Sequence, residues 1–150
     1  AYAVDDKGSE LFTIRIRDLA SSRDLADEIP DTRGEMVWAN DSQTLFYIRL
    51  DANHRPLLVY RHRIGTPVSE DVLVYEERDI GYYVGIEKTL SSKFVVIDVH
   101  DHQSNEIHLV DADQPEGALR LVEARVHGHE YQVDHHGDRL IITTNSQGAE

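Results

Sequence analysis

The chain has 150 residues, 40% of them hydrophobic and 29% charged, with 28 acidic side chains against 15 basic ones and a formal net charge of −13. That length serves one domain with a proper core, not two, and the acidic balance repels phosphate backbones, so no nucleic acid is expected as a partner. The absence of cysteine excludes a disulfide scaffold, thiolate-bound zinc and a cysteine nucleophile, and no run approaches the roughly 18 apolar residues of a helical membrane span, so no membrane partner is expected.

The first segment, AYAVDDKGSE, has no basic region, no long apolar stretch and no initiator Met, so it is not a signal peptide and reads as the start of a piece of something longer. Tyr2 to Val4 predicts a short strand. Phe12, Ile14 and Ile16 alternate with Thr13, Arg15 and Arg17, which predicts a second. Asp18 to Asp24 is the best place for a helical turn, and Asp24 to Asp27 for a further strand. Met36-Val37-Trp38 and Leu45-Phe46-Tyr47-Ile48 follow, separated by the turn residues Ala39 to Ser42. Leu57 to Arg63 alternates, placing Arg61 and Arg63 on one face. Val72 to Tyr75, Tyr83 to Ile86, Phe94 to Ile97, Glu106 to Asp111, Leu119 to Val122, Tyr131 to Val133 and Leu140 to Ile142 complete the apolar segments, each bounded by Asp, Asn, Ser, His or Gly clusters.

These segments repeat. Phe46 to Phe94 is 48 residues and Phe94 to Leu140 is 46. Each full unit holds four short strands, and a period of about 40–50 residues with four strands is the mark of propeller blades. The predicted fold is therefore all-β: a β-propeller fragment with two complete four-stranded antiparallel blades flanked by two incomplete ones. The blade remnants cover about residues 1–30, the full blades about 35–75 and 82–122, and the half blade about 129–144. The second strand of each unit is apolar on both faces, so it should lie between neighbouring blades.

Several strings carry a family resemblance: Val37-Trp38-Ala39-Asn40-Asp41-Ser42, Tyr60 to Pro67, Leu73-Val74-Tyr75-Glu76-Glu77 and His129 to His135. They resemble the propeller domain of the oligopeptidase B (protease II) branch of the prolyl oligopeptidase family, over essentially the whole chain. The resemblance implies a cytoplasmic serine endopeptidase that cleaves short peptides after Lys or Arg. In such an enzyme the propeller gates and size-filters substrates above an α/β-hydrolase domain. The implied partners are that hydrolase domain, the remaining blades and oligopeptide substrates. The Ser elbow of that domain needs Gly two residues before the serine. No serine here has it, so no catalytic residue is assigned and the chain alone is expected to be inactive. The competing class is a propeller-type protein-interaction scaffold, although the Gly-His and Trp-Asp dipeptides of that repeat are missing from the matching places.

The most suggestive cluster is His127-Gly-His-Glu-Tyr-Gln-Val-Asp-His-His-Gly-Asp138, which holds four of nine histidines. His127 and His129 share a strand face and so could chelate an ion, but His129-Glu130 lacks the second His of the helical zinc motif. His135 and His136 fall at a turn, as do His100-Asp101-His102. No metal and no cofactor is expected. Ser42, Asp41 and His62 supply the residue types of a nucleophilic site, without a spacing that unites them. Glu76-Glu77 with Asp79, and Asp111 with Asp113, read as a solvated blade edge. In a whole propeller, acids at the channel mouth, Glu76 and Glu77 among the candidates, could attract cationic peptides. Trp38 reads as core. The end blades should leave apolar faces uncovered, so the fragment is expected to form a homo-oligomer.

Overall fold

The computed structural model describes residues 1–146. It is built from twelve strands: β1 Tyr2–Val4, β2 Phe12–Asp18, β3 Arg23–Trp38, β4 Thr44–Leu50, β5 Pro56–Arg63, β6 Val72–Glu76, β7 Tyr83–Lys88, β8 Phe94–His100, β9 Asn105–Asp111, β10 Arg120–Leu121, β11 Tyr131–His136 and β12 Arg139–Thr144. A 3₁₀ turn at Val68–Glu70 stands between β5 and β6. The expected helical turn near Asp18 to Asp24 is instead the hairpin between β2 and β3. There the Asp18 carboxylate accepts from the Ala20 and Ser21 amides, and Ser22 is left-handed. Asp side chains compete with helical bonding in this way.

All pairing is antiparallel between sequence neighbours. The strands form sheets ordered β1 through β6, β7 through β10, and β11 with β12. The first sheet is the unexpected one. Met36-Val37-Trp38 is not a separate strand but the end of the 16-residue β3, whose first half pairs with β2 and whose last residues pair with β4. The register shifts between Thr32 and Met36. Two left-handed residues, Asp31 (φ 57°) and Gly34 (φ 92°), bend the chain there. A side chain on Gly34 would start 3.1 Å from the Phe12 ring, so glycine serves both the turn and the close approach.

Packing partners follow the period of two. In β4, Leu45, Phe46, Tyr47 and Ile48 are all fully buried. Leu45 and Tyr47 pack with Ile14 and Ile29, while Phe46 faces the next blade and packs with Val84, Val95, Ile97 and Val99. In β8, Val95 and Ile97 face back to Phe46, while Val96 joins Ile107, Leu109, Tyr131 and Val133 on the other side. The second strands β4 and β8 are therefore sandwiched between blades, whereas β12 is exposed, and the core consists of seams between blades rather than one central cluster. The architecture is a partial β-propeller. Trp38 packs, half-buried, against the Ile14–Leu45 seam.

Polar bonds close the seam between β3–β6 and β7–β10 at both ends. At one end the Asn40 amide nitrogen donates to Asp113 (2.6 Å) and to the Ser92 carbonyl (3.0 Å), and Lys93 lies 2.9 Å from both Asp111 and Asp113. At the other end Arg125, from the loop after β10, reaches Glu77, from the loop after β6.

Candidate functional site

Three strand segments open their units: the C-terminal end of β3, β7 and β11. Of these, β7 and β11 are edge strands of their sheets, and the last residues of β3 pair with β4. An open cleft of about 1110 Å³ lies along β7 and β11. Its acids are Glu35, Glu87, Asp98, Asp101, Glu130 and Asp134, and the one lysine is Lys88. That lysine is already engaged, donating to the Trp38 carbonyl (2.8 Å) and the Asn40 side-chain oxygen (2.7 Å). Several acids have structural partners too. Asp101 accepts from the Gln103 and Ser104 amides, Asp134 from the Leu90 and His135 amides, and Asp98 from Asn105. Glu35 lies 3.3 Å from Arg33. Glu87 and Glu130 have exposed side chains without an ion-pair partner among the described residues. The cleft is thus a negative surface whose one lysine points elsewhere, and it is suited to a cation in extended form.

The histidines of the 127–138 segment are distributed among several partners. Among the described residues no three His, Asp or Glu side chains converge as ligands. His129 stacks on Tyr131 (centroids 5.3 Å apart) and bonds Thr144 (2.9 Å). His135 meets Phe94 edge-on and bonds Ser91. His127 and His136 are exposed. His100 ends β8, with Asp98 2.9 Å from its Nδ1, and Asp101 opens the turn that follows. Tyr131 holds its loop from inside: its hydroxyl donates to the Glu123 carbonyl (2.6 Å) and accepts from the Ile107 and Glu123 amides.

Ser42, Asp41 and His62 are not brought together. Asp41 caps its own hairpin through Gln43 and Thr44, and Ser42 is the left-handed residue of that turn. His62 has other partners, which its sequence spacing did not disclose. The ring is fully buried on β5. Nδ1 lies 2.7 Å from Asp71 and Nε2 3.0 Å from Asp27. Asp71 also accepts from the Tyr47 hydroxyl (2.8 Å), and Asp27 from the Gly65 amide. Burial pushes the imidazole toward neutrality, but the bonds to Asp71 and Asp27 outweigh it and raise its pKa above the ordinary value. The same balance operates on Asp27. Burial raises it, and the Gly65 and His62 bonds bring it below the usual carboxylate range. This clamp ties the first half of β3 to β4, β5 and the 3₁₀ turn, across the first seam.

The solvated-edge reading of Glu76-Glu77 holds for Glu76, which is exposed beside Arg78. It fails for Glu77, which is only 5% exposed. Arg125 meets its carboxylate with two nitrogens (2.7 and 3.2 Å), and it also accepts from the Tyr75 hydroxyl and the Asp79 amide. Burial raises the Glu77 pKa and these donors overcome it, leaving it lowered. Arg125 in turn stacks 3.9 Å over the Tyr82 ring. Asp111 and Asp113 keep the solvated-edge character, with side chains 31% and 54% exposed; Lys93 pairs with both within their own blade, and Asn40 of the neighbouring blade bonds Asp113. Nothing local in the sequence marks these pairs, whose members are up to 73 positions apart.

Comparison with known proteins agrees with this architecture. The family model described as prolyl oligopeptidase, N-terminal beta-propeller domain, matches residues 1–150. The chain is 40% identical to dipeptidyl aminopeptidase BI of Pseudoxanthomonas mexicana over 99% of its length and 21% of that protein. It is 36% identical to protease 2 of Moraxella lacunata, over 97% of this chain and 21% of that one. The structure of oligopeptidase B from Leishmania major superposes with a TM-score of 0.89 at 33% identity, covering 97% of this chain and 21% of that chain. The chain thus spans about a fifth of the length of these proteins.

Proposed function

The chain belongs to the prolyl oligopeptidase N-terminal β-propeller family, and from that premise we propose that it forms part of the gating and size-filtering wall of a cytoplasmic serine-type oligopeptidase acting on short peptides after Lys or Arg. The nucleophile, base and acid come from an α/β-hydrolase domain outside these residues. The observation that carries this reading is the cleft along β7 and β11, with its six acids and its one lysine bound elsewhere. A peptide bearing Lys or Arg is concentrated at such a surface, and the effect weakens with salt.

The acids to test are Glu87 and Glu130, not Glu76 and Glu77, because Glu77 is consumed by Arg125. In the intact peptidase, Glu87→Gln with Glu130→Gln should lower kcat/KM for doubly basic peptides about threefold to tenfold at low ionic strength. The difference should shrink at high salt, and peptides with a single basic residue at the cleaved position should change less. An unchanged kcat/KM at low salt would remove the steering role.

A further inference from the structure

The three strands that open the units differ in what their free edges carry. On β11, the Asn105 side chain occupies the backbone of Tyr131, accepting from its N–H (2.9 Å) and donating to its carbonyl (2.7 Å). At the end of β3, Lys88 occupies the Trp38 carbonyl. β7 is different. It pairs with β8 from Tyr83↔His100 to Lys88↔Val95 and is the last strand of its sheet. Among the described residues no side chain or loop bonds the backbone of Tyr83 to Lys88 along the other edge. Along six residues of strand, about 20 Å, alternate residues therefore present bare donors and acceptors, and Gly85 to Lys88 border the cleft.

Gly85 stands in the middle of this edge. Its φ is outside the left-handed region, and a methyl group added there would meet nothing within 4 Å. Neither a turn nor packing within this chain calls for glycine. The other glycines with open space around them, Gly8, Gly65, Gly128 and Gly137, all have positive φ. Glycine inside a strand weakens it, and one use that offsets the cost is the close approach of a second backbone. The charge beside it is negative. Glu87 lies two residues on, on the same face, and Asp98 is the cross-strand partner of Gly85.

We propose that the free edge of β7, centred on Gly85, receives an extended cationic segment of an oligopeptide as an added strand. Main-chain bonds to β7 would hold it, with its alternate side chains directed to Glu87 and Asp98. The proposal rests on the cleft being a peptide path and adds how the peptide is held there. It also specifies a pattern, since a strand turns residues i and i+2 to one face. Peptides with Lys at i and i+2 bind more tightly than isomers with Lys at i and i+1.

The test uses the full-length protein and an acetylated, lysine-bearing hexapeptide read by fluorescence anisotropy. Two N-methylated versions remove the N–H groups of alternate residues, one set in each register. One version is expected to bind about tenfold more weakly, from two or so lost main-chain bonds, and the other close to the parent. Gly85→Val, which fills the open space with a strand-favouring side chain, is expected to weaken the parent peptide similarly without lowering the melting temperature. Equal binding by both N-methylated peptides, together with full binding to Gly85→Val, overturns strand addition. If Glu87→Gln still weakens binding in that case, the cleft remains a cationic path and only the mode of holding is wrong. A protein that binds neither the parent peptide nor its isomers overturns both. Self-association that is abolished by Gly85→Val also overturns the proposal, since the occupant is then a second copy.

Discussion

Replacing His62 with glutamine removes the centre of the clamp between Asp27 and Asp71. A carboxylate only accepts, so a ring that donates to both must be an imidazolium. A glutamine amide can donate to one carboxylate while turning its oxygen toward the other. The change leaves a carboxylate that is less than 5% exposed facing no cation. Breaking a buried pair in this way costs about 3–5 kcal/mol, a large share of the roughly 5–15 kcal/mol that holds a domain together. Tyr47 and Gly65 still donate to the carboxylates, which places the loss near the lower end, about 3 kcal/mol. The pH dependence has a definite sign. The folded pKa of His62 is raised above its ordinary 6.5, so its contribution is complete below that value and is lost as pH rises through the folded one. Asp27 is lowered from its ordinary 3.8, so its contribution is complete above that value and is lost as pH falls through the folded one. The clamp is strongest between these limits. Urea unfolding of wild type and His62→Gln across about pH 5 to 9 should give a gap that narrows toward alkaline pH. ¹⁵N shifts of the ring should show both nitrogens protonated below pH 6.5. A neutral ring there, or a gap that does not depend on pH, refutes the reasoning.

Arg125→Ala strands the buried carboxylate of Glu77 and should cost about 2–4 kcal/mol in urea unfolding. Glu77→Gln, which keeps an acceptor for Tyr75 and Asp79, should cost less. Gly34→Val places a β-branched side chain at φ 92° against Phe12 and should cost about 1–3 kcal/mol of strain or more, read as a fall in melting temperature. Leu140, Ile141 and Ile142 on β12 are 36%, 52% and 48% exposed, so the 150-residue chain should self-associate in light scattering. Ile141→Lys should shift it toward monomer, and a clean monomer at high concentration before any substitution counts against this.

The second strands and the turns were the legible part of the fold. Leu45 to Ile48 and Phe94 to Ile97 are apolar at every position, which only a strand covered on both faces requires. The hairpin acids were legible as turn formers: Asp41, Asp51 and Asp101 each accept from the amides two and three or four residues on. The continuity of β3 was not. Asp24 to Asp27 and Met36 to Trp38 read as separate strands, yet the left-handed residues Asp31 and Gly34 bend the strand without ending it. The clamps were hidden for a different reason. His62 sits 35 residues from Asp27, and Glu77 sits 48 from Arg125. Period and propensity describe neighbours along a strand, whereas these bonds connect blades. Nor did the pair Glu76-Glu77 reveal that one carboxylate is exposed and the other buried.

The distribution of acids also decides what a net charge of −13 can do. One group is spent on turns, where a carboxylate satisfies backbone amides: Asp5, Asp18, Asp41, Asp51 and Asp101. A second group is spent on seams: Asp27, Asp71, Glu77 and Glu106 beside His62, His108 or Arg125. In the second group Asp27 and Asp71 share the one His62 ring, and Glu77 and Glu106 share the one Arg125 guanidinium, so the field they send into solvent is reduced. Charges of the first group keep their field, but it falls off within about 8–10 Å at physiological salt. A peptide entering the cleft therefore responds chiefly to the acids that border it, and among those Glu87 and Glu130 are the ones without an ion-pair or capping role in the described residues. Under the proposed function, discrimination between cationic and neutral peptides would come from the acids bordering the cleft, of which Glu87 and Glu130 are the two free of structural roles among the described residues. That is why neutralising Glu87 and Glu130 is the informative experiment, and why uniform lowering of net charge elsewhere on the propeller should leave peptide selection unchanged.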